Sequence, residues 1–95
     1  DRNKKKQLKG AKVMWQAQTG DAVASTVSLE LSVDGANYEE ILTDSATSGL
    51  HLTHTSRKTD STQFDAGREI QLQVKSQGGA RVISVEYEYD NLEQK

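Results

Sequence analysis

The chain has 95 residues, no cysteine and no proline, and a formal net charge of -2; 34% of its residues are hydrophobic and 27% charged. That length makes one small domain, able to bury roughly 60–65% of the surface its unfolded chain exposes, and a mean hydropathy of -0.75 is polar for such a domain. Disulfides and thiolate–metal sites are excluded by composition, and no apolar run approaches the roughly 18 residues of a membrane span.

The charge is unevenly placed. Residues 1–10, DRNKKKQLKG, hold five of the twelve basic residues, Arg2, Lys4, Lys5, Lys6 and Lys9, against Asp1 alone. The remainder carries seven basic and thirteen acidic groups, a balance of about -6. This predicts a basic N-terminal arm over residues 1–10 on an acidic body, with those five side chains as the candidate partner-binding set. Such an arm is either solvated or paired with an acidic protein surface. No aromatic residue lies among its lysines, so nucleic acid, which is usually stacked as well as neutralised, is not the expected partner.

From Ala11 to Gln18, Val13, Trp15 and Ala17 alternate with Lys12, Met14 and Gln16, the period of a strand with one buried face. Thr19-Gly20-Asp21 is a turn signal, which makes this strand the expected hairpin neighbour of the next run. Trp15 is the only tryptophan and is expected in the core.

The strongest pattern lies between Val23 and Leu42, where Val27, Leu29, Leu31 and Val33 alternate with Ser28, Glu30 and Ser32. Asp34-Gly35 tolerates the positive φ of a tight turn, and Tyr38 to Leu42 supplies a short return strand. The small polar residues TDSATSG then read as a loop. Gly49 to Thr55 is a further short strand, with Leu50, Leu52 and His54 in one phase and His51 and Thr53 in the other. Ser56 to Gly67 lacks any period and is expected to be a long loop pinned to the core by Phe64. Ile70, Leu72 and Val74 mark the next strand; Gln77-Gly78-Gly79 reverses it into a partner running from Ala80 to Tyr89. There Ile83, Val85, Tyr87 and Tyr89 share a face expected in the core. Residues 91–95 are a polar tail.

Strands recur with turn signals and no segment of helical period. The expectation is an all-β chain, an antiparallel β-sandwich of about six to eight strands, Ig-like or jelly-roll-like, over residues 11–90. Catalytic patterns are missing: there is no G-x-G-x-x-G, Walker loop, H-E-x-x-H, EF-hand loop or G-x-S-x-G. His51 and His54 are separated by an odd number of residues, which on a strand sends their rings to opposite faces and makes a poor chelate. Glu86 and Glu88 read as a solvated row. A non-enzymatic protein without cofactor or metal is expected.

At Ser32 to Tyr38, SVDGANY, the chain resembles small β-sandwich proteins of tailed-bacteriophage virions. These often show an alternating strand, then S-x-D-G-x-N and an aromatic residue, and later an arginine-led strand, a glycine hairpin and a last alternating strand. Arg68 to Lys75, Gln77 to Gly79 and Ala80 to Tyr89 stand in those places. The resemblance covers roughly residues 23–42 and 68–90. It departs at Tyr38, where such chains often carry Trp, and in the added basic arm. It implies a head-decoration, head–tail or tail-associated component, assembled in the bacterial host cytoplasm and resident in the virion. The partner it implies is a capsid or tail protein, met in several copies or as a homo-oligomer. A carbohydrate- or receptor-binding sandwich, with Trp15 and Tyr38 as its ligand platform, is the alternative.

Overall fold

The computed structural model describes residues 5–18, 24–56 and 63–92. Seven strands run in order β1 (Lys6–Gln16), β2 (Ser25–Val33), β3 (Glu39–Ala46), β4 (Leu50–Thr55), β5 (Ala66–Gly67), β6 (Ile70–Gln77) and β7 (Arg81–Asn91). All ladders are antiparallel. Sheet A has β1 at its centre, with β4 and the short β5 along one side and β7 along the other; sheet B has the order β3-β2-β6. The two sheets pack face to face as a β-sandwich, the architecture the alternation predicts.

The central strands supply most of the core. Leu8, Ala11, Val13 and Trp15 of β1 and Val27, Leu29 and Leu31 of β2 are buried, joined by Ile41 and Leu42 of β3, Ala17 and Phe64. Phe64 therefore plugs the core as expected from its isolation in a polar stretch.

Three sequence expectations about pairing are corrected. β1 and β2 are not hairpin neighbours, because they lie in opposite sheets, and Trp15 and Leu29 contribute to the shared core from its two sides. β6 and β7 are likewise not paired with each other: Gly78 and Gly79 reverse the chain with φ of 66° and 81°, but the strands on either side enter different sheets. Among the described residues only β2 and β3 are consecutive strands paired with each other. There Asp34 and Gly35 both take positive φ, 54° and 78°, and Ala36 N–H donates to the Val33 carbonyl at 3.1 Å, a tight turn inside the longer connection that follows the last ladder pair, Leu31 with Glu39. β3 also continues through residues read as loop, since Thr43 and Ser45 hydroxyls pair with Ser28 and Thr26 across the ladder at 3.3 and 2.9 Å.

The N-terminal boundary shifts too. β1 begins at Lys6, so Lys6 and Lys9 belong to sheet A and not to an arm. The cause is β7, which runs past Tyr89 into the expected tail and offers Lys6, Gln7 and Leu8 a ladder with Asn91, Asp90 and Tyr89. A bulge at Lys9 hides this from the sequence: the extra residue breaks the alternation between Leu8 and Ala11, both of which face inward.

Two side chains clasp the ends of the sandwich. The Ser25 hydroxyl, fully buried, accepts from Gln18 N–H at 3.0 Å and donates to the Gly78 carbonyl at 2.7 Å, tying β1, β2 and the β6–β7 turn together. At the other end Asp34 Oδ1 accepts from the N–H groups of Arg68 and Glu69, both at 2.9 Å. A Cβ on Gly67 would come within 2.3 Å of Val33 Cγ1 and 2.6 Å of Asp34 Oδ2, so only glycine lets the β5–β6 connection close on this turn.

Candidate binding surface

The two flanks of the sandwich differ. Along β3 and β4 it is closed by polar contacts. Thr53 donates to Asp44 Oδ2 across the sheets at 2.5 Å. The His51 ring stacks on Trp15 with centroids 5.1 Å apart, and its Nε2 lies 2.8 Å from the Ser48 carbonyl. His54 points the other way, opposite Lys12, so the two histidines do lie on opposite faces.

Along β6 and β7 the inner face is left open. No residue of either strand is fully buried; Ile70, Leu72, Val74, Val82 and Val85 are partly covered, and Tyr87 and Tyr89 are 58% and 46% exposed. The expectation that both tyrosines fill the core is corrected. They do face inward, opposite Ala11 and Leu8, yet they extend beyond the cover that β6 provides. With Lys6, Leu8, Ile70 and Leu72 they line a cleft of about 310 Å³. Their rings sit 6.3 Å apart and only 20° from parallel, as i and i+2 positions on one strand face dictate. The Lys6 ammonium stands 5.8 Å from the Tyr89 ring centroid, within cation–π range.

A second bulge, at Ile83, resets the phase of β7. Val82 therefore turns inward opposite Trp15, and Ile83 goes outward, 48% exposed. β4 presents its leucines outward as well: Leu50 and Leu52 are 62% and 63% exposed, opposite Gln16 and Met14. The outer face of sheet A thus carries scattered apolar groups, whereas that of sheet B is lined with hydroxyls and the Lys75–Glu30 ion pair at 3.4 Å.

The residues singled out from sequence are not brought together. Arg2 and Lys4 lie outside the described residues. Lys5 is exposed, and its carbonyl accepts from Leu92 N–H at 2.8 Å. Lys9 pairs with Asp90 at 3.6 Å. Trp15 is 0% exposed, which removes it from any ligand platform; its Nε1 is the one buried side-chain polar atom without a partner among the described residues. Tyr38 is 41% exposed and its hydroxyl donates to Gln71 Oε1 of sheet B at 3.4 Å, so it forms no shared platform with the buried Trp15 of sheet A. Ile83, Tyr87 and Tyr89 are the exposed residues that sequence reasoning assigned to the core. The signal available for the tyrosines was the pairing of a tyrosine i, i+2 repeat with an acidic one on the last strand.

No group of three or more His, Asp or Glu that could hold a metal stands together among the described residues, and none of their helices could cross a membrane, there being no helix. No family model, curated protein or solved structure matches this chain.

Proposed function

We propose that this protein is a non-enzymatic assembly subunit, of the virion kind its SVDGANY stretch resembles, which packs through its open β6–β7 flank against further copies or a larger shell. One observation carries the reading: the inner face of the sandwich ends in exposed tyrosines and half-covered aliphatics where two edge strands part. Apolar surface of this sort marks interaction sites in soluble proteins, and a strand edge without proline is otherwise a liability that association removes. Light scattering over a concentration series tests it. Mass should rise with concentration for the wild type and stay at the monomer value for Tyr87→Ser/Tyr89→Ser, whereas a wild type that stays monomeric throughout would count against it.

The near-parallel, exposed rings of Tyr87 and Tyr89 favour one other reading, a sugar-binding platform. Retardation of the wild type in gels containing soluble polysaccharide, abolished by the same tyrosine substitutions, distinguishes it from self-assembly.

A further inference from the structure

We propose that two copies of this chain join edge to edge through β6, which pairs antiparallel with β6 of the second copy about a two-fold axis at Leu72. This rests on the assembly reading above and names both the partner and the strand that meets it.

Among the described residues β6 pairs only with β2, so its other edge carries no strand. Glu69 fixes the direction of the backbone groups that follow it. Its N–H donates to Asp34 Oδ1 and its carbonyl accepts from Asp34 N–H, so both point to the β2 side. Along an antiparallel strand these groups change sides at each residue, and the β2–β6 register runs without a shift from Val33–Ile70 to Thr26–Gln77. Gln71, Gln73 and Lys75 therefore bond β2, while Ile70, Leu72 and Val74 turn their N–H and C=O groups to the open edge. The same three residues form the inner side-chain row, opposite Val33, Leu31 and Leu29, and are only partly buried.

Charge and cover select the occupant. Pairing β7 with itself would set the row of Glu86, Glu88 and Asp90 against its own copy, acid against acid. From Glu69 to Lys75, by contrast, the only charges are those two end residues, both on the outer row. Antiparallel pairing centred on Leu72 places Glu69 opposite Lys75 of the second copy, Ile70 opposite Val74, and Leu72 opposite itself. The strip thus complements its own copy, as an isologous interface requires. Lys75 already holds Glu30 at 3.4 Å, yet its side chain is 57% exposed and can meet a second carboxylate. The added strand also supplies what the tyrosines lack. Tyr87 and Tyr89 face inward over a cleft that Ile70 and Leu72 line on the sheet B side. A strand about 4.8 Å beyond β6 brings a second aliphatic row beneath their exposed rings. β7 then lies over the seam, and its edge is screened from solvent without gaining a strand.

Light scattering and hydrogen exchange on the intact chain test the pairing. As concentration rises, mass should level off at the dimer value. The amides of Ile70, Leu72 and Val74 should slow by about tenfold or more, while those of Gln71 and Gln73, already bonded to β2, keep their rate. Glu69→Lys and Lys75→Glu should each weaken association about tenfold, and melting curves establish that each variant is folded. The double variant Glu69→Lys/Lys75→Glu, which restores opposite charges across the axis, should regain wild-type affinity. Protection on β7 with none on Ile70, Leu72 and Val74, growth beyond a dimer, or a double variant no tighter than its parents overturns the proposal and leaves the assembly reading standing; a wild type that stays monomeric overturns both.

Discussion

Asp34 joins two distant parts of the chain with one carboxylate. It accepts the Arg68 and Glu69 N–H groups while its own N–H donates to the Glu69 carbonyl at 2.8 Å. Its positive φ is tolerated by Asp and Asn far better than by other side chains. Asp34→Ala should therefore lower unfolding free energy by about 1–2 kcal/mol, given that the contacts are solvent-accessible, and Asp34→Asn, which keeps an acceptor, by less than about 1 kcal/mol. Denaturant titration at constant slope checks both. The D-G pair was legible from sequence as a turn. Its clasp on Gly67–Glu69 was not, because nothing in local pattern tells residue 34 what it meets more than thirty positions later. Trp15 shows the opposite case. Its place on an alternating face announced burial, and burial is complete. Its fluorescence should be blue-shifted and barely quenched by iodide; efficient quenching would mean that the sandwich does not close over it.

At the level of strands, side-chain phase was readable wherever alternation ran unbroken, as in β2 and in β1 beyond Ala11. Where it failed, a bulge was responsible. The extra residues at Lys9 and Ile83 each shift the pattern by one position, so Leu8 was lost to the arm and Ile83 was assigned inward. β4 offered no such clue: its two phases are Leu50, Leu52, His54 and His51, Thr53, Thr55, and the more polar set faces in, since Thr53 has Asp44 as partner and His51 has Trp15. Leu50→Thr/Leu52→Thr should accordingly change unfolding free energy by no more than about 0.5 kcal/mol per site, as for surface positions. A cost of about 2 kcal/mol or more per site, typical of core leucines, would show that the leucines are buried.

The whole molecule is elongated, 53 × 23 × 22 Å, with β1 and β7 running along sheet A. Its two flanks are closed by different means. Hydrogen bonds and a stacked histidine seal β3–β4, and β6–β7 is left with exposed rings and, among the described residues, with strand edges that no further strand pairs. Strand count and fold class followed from periodicity, but which strand borders which, and hence which flank stays open, depends on how the arches cross between sheets. That arrangement is set by long-range packing. Concentration-dependent hydrogen exchange tests the open flank most directly. The amides from Glu86 to Asn91 should become more protected as protein concentration rises, while those of β4, the opposite edge of the same sheet, exchange at an unchanged rate. Protection that rises equally on β4, or fails to rise on β7, would contradict the assignment of this flank as the surface on which the protein assembles.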